Sequence, residues 1–409
     1  MKTSKSLDEN LRELIFSERK LKKGMIKLPT IDIIAVIGIS IIALLIRAFL
    51  FPKQTGDYES NLLLWVEAFR ESGFAAIAGD HYNYTPPYMY FLYFVSRFSI
   101  TPLYAIKLLS VLFDFILAGA VGSVIFHMTE GNRKSAIMGF GAALLTPTII
   151  ANGSMWGQCD AIYVSFLTLC VLFLMKDQSR KGIICFAFAF SLKLQSIFLL
   201  PVLLVYWLYR KKMKLSLFLY IPVCYCICIL PAWIGGRPLG ELLTIYLGQA
   251  GRGSQLSLKY PNIFYIIGVD ANVKLYYRPA ILFTIALLAL VFYFVVSKIE
   301  KEKFDNEMFF KLALLSLLII TNFMPFIHER YGFFCDVLMI IYGILYVKRL
   351  PIALSYLLIA FLAYTRYFNG ELVIPYYFLS LIMLCIIGAV GMDFYNTVQR
   401  NAKYKISPS

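Results

Sequence analysis

Charge is scarce in this chain. Of its 409 residues only 15% are Asp, Glu, Lys or Arg, against 60% hydrophobic. A water-soluble domain of that length carries far more charge, so that class is excluded. Histidine is scarcer still, with three residues, none at ligand spacing, which disfavours a zinc centre. The eight cysteines fall mostly inside apolar runs, Cys224, Cys226 and Cys228 among them. They read as small apolar residues, not as a disulfide framework or a metal site. A Gly-rich phosphate loop, a repeat of about 20–50 residues and low-complexity sequence are all missing. So is the inverted-repeat symmetry of many transporters. The first 29 residues are charged throughout, with Lys20, Lys22, Lys23 and Lys27 before the first apolar run. They show no cleavable signal peptide and read as a cytoplasmic tail (1–29) feeding a signal anchor.

Apolar runs of membrane-spanning length recur from end to end, which marks an all-α polytopic membrane protein. The first span covers 30–51, and an external segment follows to 102. Within that segment Leu62, Trp65, Val66 and Phe69 share one helical face, which predicts a helix lying on the membrane surface. Tyr84-Thr85-Pro86-Pro87 then stops any helix and starts another over 88–98. Further spans fall near 103–127, 135–150, 159–175, 214–234, 277–297, 308–326, 331–347, 351–367 and 373–392, with a long external loop at 235–276. The stretch 183–209 is either one helix or two half-spans with an apex at Lys193-Leu194-Gln195. The second reading keeps Arg210-Lys211-Lys212 on the cytoplasmic side, as the positive-inside rule asks. That gives about twelve spans with both termini cytoplasmic, 393–409 being the second tail. The net charge of +15 then reflects basic cytoplasmic loops rather than nucleic-acid binding.

This topology sorts the unusual polar residues to the outer side. Asp57, Glu59, His81, Lys193, Gln195, Arg237, Arg252, His328, Glu329, Arg330 and Arg366 all come out external or near that surface, as does the segment Asn152 to Asp160. Gly56-Asp57-Tyr58-Glu59 is the most telling of these. Carboxylates beside hydrocarbon are costly and ask for a reason.

Several segments together carry a resemblance. Asp57-Tyr58-Glu59, Asn83-Tyr84-Thr85-Pro86-Pro87-Tyr88, Trp156-Gly157-Gln158-Cys159-Asp160-Ala161, Leu192-Lys193-Leu194-Gln195-Ser196 and His328-Glu329-Arg330-Tyr331 occur in this order. They are similar to motifs of the GT-C superfamily of glycosyltransferases that use polyprenyl-phosphate sugars. The chain resembles the bacterial relatives of GPI mannosyltransferase II and of the lipid-phosphate-glucose-dependent transferases of N-glycan assembly, over about residues 30–335. It departs from them where Thr85 interrupts an Asp-Tyr-Pro-Pro form, and where Asp-Tyr-Glu stands in place of Asp-x-Asp. The resemblance implies a GT-C fold with a catalytic module over 30–234, whose first external loop is 52–102, and C-terminal helices over 277–392 carrying the His-Glu-Arg motif. It implies hexose transfer, mannose or glucose, with inversion, from a polyprenyl-phosphate donor to a glycan or lipid-linked acceptor on the outer face of a plasma membrane, bacterial by that likeness. No cofactor is implied. Two alternatives stay open: a transporter or flippase for lipid-linked glycans, and a non-catalytic assembly subunit.

Such a reaction needs an acceptor hydroxyl deprotonated and a departing lipid phosphate stabilised. A carboxylate serves the first task and cations the second. Asp57 is the expected base, although its position also suits a helix N-cap. Glu59 is an auxiliary group or a solvated helix residue. The two would diverge on a helix and converge in an extended loop, where a divalent metal between them is the less favoured option. Lys193, His328, Arg330 and Arg252 are the candidates for the donor phosphate. For Lys193 the alternative is an ion pair with Asp160 or Asp114. For His328, Glu329 and Arg330 it is a self-neutralising interfacial cluster. Trp156, Gln158, Asp160, Gln195, Glu329 and Tyr84 are candidates for sugar or acceptor contacts, against an ordinary interfacial role for the aromatics. Arg237 and Arg252 lie in the loop 235–276, which Gly248, Gly251 and Gly253 make flexible, as a lid or as a plain connector. Lys107 and Asp114, seven residues apart on one helix, are expected to form a polar packing pair.

Overall fold

Residues 18–20, 27–79, 84–249, 255–269, 272–370 and 373–403 are described by the structure, a computed structural model. The architecture is all-α. Among the described residues the only strands are two short pairs, Glu18–Lys20 with Lys27–Pro29 and Ser257–Leu258 with Ile327–His328.

Among the described residues seven helices are long and apolar enough to cross a membrane: Thr30–Leu50, Pro102–Met128, Leu215–Ile234, Val273–Lys298, Asn306–Phe323, Val347–Phe368 and Tyr376–Ala402. The pair Arg133–Leu145 and Pro147–Trp156, bent by 49°, is also long and apolar enough when taken together, as a broken span or a re-entrant loop. Pro147 explains the bend, because it has no N–H to donate and pushes Thr146 into an extended conformation. The chain is thus a polytopic helical membrane protein. Four other segments expected as spans are shorter helices: Asp160–Met175, Ser179–Leu192, Leu194–Tyr209 and Phe333–Leu345.

Their ends are set by polar chemistry. Residues 179–209 form a hairpin, as the basic cluster at 210–212 requires. Its apex, Lys193, pairs with Asp160 at the start of the Asp160–Met175 helix. Its far end returns to that helix's other terminus, where Tyr206 donates to the Leu174 carbonyl at 2.7 Å and Arg210 lies 3.8 Å from Asp177. Helices of 13–16 residues reach only about 20–24 Å, against about 30 Å of hydrocarbon. Each has one terminus at the same polar end of the bundle, which is therefore recessed.

Asn306–Phe323 and Pro102–Met128 form the buried centre, while Thr30–Leu50, Leu215–Ile234 and Val273–Lys298 present Leu45, Phe49, Ile227 and Leu282 outward. Side-chain caps begin several helices: Asn132 accepts from the Ser135 N–H at 3.2 Å and Asp305 from the Met308 N–H at 2.8 Å.

Several expectations are corrected. Lys107 and Asp114 are not partners. The Lys107 ammonium donates to the carbonyls of Leu50, Phe51 and Lys53 at 3.2, 2.9 and 2.5 Å, closing the end of the first span. Asp114 instead pairs with Arg47 of that span at 2.9 Å, both fully inside the protein. Gly153 allows this approach, since a Cβ there would sit 3.0 Å from the Asp114 carboxylate. The apolar face of Leu63–Ser72 does not lie on lipid. Trp65, Val66 and Phe69 are buried by protein, chiefly the Pro86–Ser96 helix. The segment 235–276 is not simply a loop. It contains the helix Leu239–Gln249 and the start of Val273–Lys298. The last helix, Tyr376–Lys403, runs through residue 393 into the expected tail.

Candidate functional site

At the recessed end, the turn after the first span, the wide turn Ala151–Trp156, the hairpin apex and the segment 327–332 meet. Asp57 sits in the first turn of a helical stretch with helical backbone angles, and its side chain makes no cap. Its carboxylate points instead toward the wide turn. There Oδ2 accepts from Trp156 Nε1 at 2.8 Å and from Gln158 Nε2 at 3.1 Å. The Asp57 N–H donates to the Tyr367 hydroxyl at 3.3 Å. Gly157 makes this aim possible, because its φ of +75° turns the chain between Trp156 and Gln158 in a region closed to most side chains.

Gln158 links the carboxylate to a cation. Its Oε1 accepts from Arg330 Nη1 and from the Tyr84 hydroxyl, the latter at 3.4 Å. Arg330 also donates to the Tyr84 oxygen at 3.3 Å, and its guanidinium lies over the Trp156 ring, 5.4 Å from the centroid. Tyr367 stacks on the same indole at 3.8 Å. Burial raises the Tyr84 phenol above its ordinary pKa, more than nearby Arg330 and Lys193 lower it, so it stays a neutral hydroxyl.

The second cation is held differently. Lys193 donates to Asp160 Oδ1, while Asn152 Nδ2 donates to Asp160 Oδ2 at 2.8 Å. Of the two alternatives for its internal partner, Asp160 is the one found. Asp160 and Asn152 are wholly buried. Lys193 is therefore already neutralised. Arg330 is not: among the described residues its polar partners are Gln158 and Tyr84, both uncharged, with no carboxylate at ion-pair distance.

Two cavities meet here. One, of about 270 Å³, is lined by Lys193, Gln195, His328, Arg330, Tyr84 and Tyr246 among others. The other, of about 110 Å³, is lined by Asp57, Asn61, Trp65, Tyr84, Tyr88, Gln158 and others, with Arg330. Tyr84 and Arg330 belong to both. Within the first, Gln195 Oε1 is buried without a hydrogen-bond partner among the described residues. Glu329 is buried behind His328, its Oε2 3.5 Å from Nδ1.

The structure thus brings together Asp57, Tyr84, Trp156, Gln158, Asp160, Lys193, Gln195, His328, Glu329 and Arg330. Trp156 and Asp160 lie beneath the cavities rather than on their walls. Glu59 is not brought in. The segment is helical, so the two carboxylates diverge and Glu59 is exposed. Among the described residues no group of three or more His, Cys, Asp or Glu is placed to hold a metal ion. Arg252 and His81 lie outside the described residues. Arg237 is buried 3.9 Å from Glu241, within its own segment.

Sequence reasoning placed Asn152 on the site side without giving it a role, and missed Tyr246 and Tyr367. Tyr367 follows Arg366, already an outlier near a helix end. Tyr246 sits within what read as loop, where an amphipathic pattern over 239–249 was the available signal. Comparison with protein-family models and with curated proteins finds no match for the chain.

Proposed function

We propose that this protein is an integral-membrane glycosyltransferase of GT-C type, which transfers a hexose from a polyprenyl-phosphate donor to a glycan or lipid-linked acceptor. One observation carries this reading: a carboxylate cavity and a cation-lined cavity share Tyr84 and Arg330 as their common wall. A transfer reaction needs a base and an anion-stabilising group on opposite sides of one reacting carbon, and the two cavities offer them.

In the proposed reaction the Oδ1 edge of Asp57 takes the proton of the acceptor hydroxyl. The hydroxyl oxygen bonds to the anomeric carbon as the bond from that carbon to the phosphate oxygen breaks. The electron pair stays on the departing lipid phosphate, which Arg330 receives, with Lys193 and His328 beside it. Direct displacement of this kind inverts the anomeric centre. Trp156 and Gln158 fix the Asp57 carboxylate through its other oxygen.

The site end is assigned to the outer face. Arg133, Arg180, Arg210, Lys212, Arg349 and Arg400 gather at the opposite end, which the positive-inside rule gives to the cytoplasm. The twelve-span topology follows if the bent pair and the four short helices count as spans.

The test is reconstitution in proteoliposomes with labelled polyprenyl-phosphate mannose or glucose and a glycolipid acceptor mixture. Wild-type protein transfers label. Asp57→Asn keeps the shape and the Trp156 contact but lowers transfer by about 10²–10⁴-fold. Full activity in the folded variant overturns the assignment.

A further inference from the structure

A second site lies at the opposite end of the bundle, far from the chemistry just described. The helices Thr30–Leu50, Pro102–Met128 and Arg133–Leu145 enclose a mostly apolar groove of about 560 Å³. Its floor is made by missing side chains. Gly119, Gly122 and Ser123 line it, and a Cβ on Gly119 would meet nothing within 4 Å. From Gly119 to Phe126 the floor runs about 10 Å along the helix axis.

The groove is closed at one end by charge. Arg133 and Lys176 line its mouth with Asp32. Arg133 engages Asp32 at 3.2 Å, whereas Lys176 is exposed and has no ion partner among the described residues. Beside the Arg133–Asp32 pair, Lys176 therefore adds an exposed cation to the mouth, and Lys134 follows Arg133 in sequence.

We propose that this groove binds an anionic glycerophospholipid, its phosphate at Lys176 and Arg133 and one acyl chain along Gly119, Gly122 and Phe126. The groove lies between spanning helices, so lipid is the occupant that surrounds it. Depth, apolar lining and a terminal pair of cations match a headgroup with its first acyl carbons. A zwitterionic lipid brings its own cation to the mouth and loses the advantage. Each Lys or Arg at a membrane surface favours an anionic headgroup by about fivefold.

The experiment is native mass spectrometry of the full-length protein released from nanodiscs holding equal phosphatidylglycerol and phosphatidylcholine. Retained lipid on the wild type is expected to be mostly phosphatidylglycerol. Lys176→Gln, an exposed change that leaves the fold alone, is expected to lower that preference about fivefold, and Lys176→Gln with Arg133→Gln further. Gly119→Leu fills the floor and is expected to reduce retention of both lipids. Equal retention of the two lipids by the wild type overturns the proposal, as does an unchanged preference in Lys176→Gln. Displacement of the lipid by glycerol phosphate alone overturns the acyl-chain placement.

Discussion

Trp156 holds Asp57: the indole nitrogen donates to the carboxylate at 2.8 Å, across 99 positions of sequence. The same indole is stacked by Tyr367 and covered by Arg330. Trp156→Phe keeps an aromatic face and removes the donor together with the five-membered ring. A hydrogen bond to a charged group is worth about 1.5–3 kcal/mol. Transfer measured as kcat/KM is expected to fall roughly 10- to 100-fold, with a modest drop in melting temperature because the buried ring is smaller.

Arg330 has no carboxylate at ion-pair distance among the described residues, and its Nη1 donates to both Gln158 and Tyr84 while the guanidinium plane covers Trp156. Arg330→Lys keeps the charge but loses the planar guanidinium that lies over Trp156 and the N–H donors not engaged by Gln158 and Tyr84. The KM for the lipid-phosphate donor is expected to rise about tenfold or more, the loss of one charge-assisted contact. An unchanged donor KM in steady-state assays contradicts a phosphate role.

Lys193 and Asp160 separate stability from function. Lys193→Met alone strands a buried carboxylate and is expected to cost about 3–5 kcal/mol. Adding Asp160→Leu removes the stranded charge, although it leaves the buried Asn152 amide without its acceptor, so the double variant regains part of its thermal midpoint in detergent. Its transfer activity is expected to stay low, since the cavity has lost a cation. Recovery of both together assigns the pair a structural role alone.

Arg47 and Asp114 provide the complementary case, a buried pair behind the site that touches no cavity wall. Arg47→Met is expected to destabilise by about 3–5 kcal/mol, and Arg47→Met with Asp114→Leu to restore most of it. Chemical denaturation in mixed micelles measures both.

Glu59→Gln is expected to change stability by no more than about 0.5 kcal/mol and to leave transfer near wild type, because the side chain is exposed and faces neither cavity. A large loss in the same proteoliposome assay points instead to a shared acidic site with Asp57.

What the sequence made legible was chiefly what charge placement controls. Arg210, Lys211 and Lys212 required a turn at Lys193, and the hairpin is there. Proline punctuation located the Pro86–Ser96 helix. Pairing was legible only for Lys193, whose partner Asp160 was one of two alternatives. Arg47 stood inside the first span and drew no attention, although an arginine there must have a partner. Lys107 and Asp114 shared a helix face, yet each is claimed by a different element of higher sequence separation. The cap reading of Asp57 rested on position alone. It failed because Trp156 and Gln158, a hundred residues on, are the stronger donors.

One small element joins regions that otherwise look independent. The parallel ladder pairs Ser257 with Ile327 and Leu258 with His328, and Leu258 and His328 both line the cation cavity. The wall supplied by the connector and the motif that carries His328 are one mechanical piece. A displacement of Leu258 drags His328 along, so the cavity's width and the position of its imidazole are geared to each other.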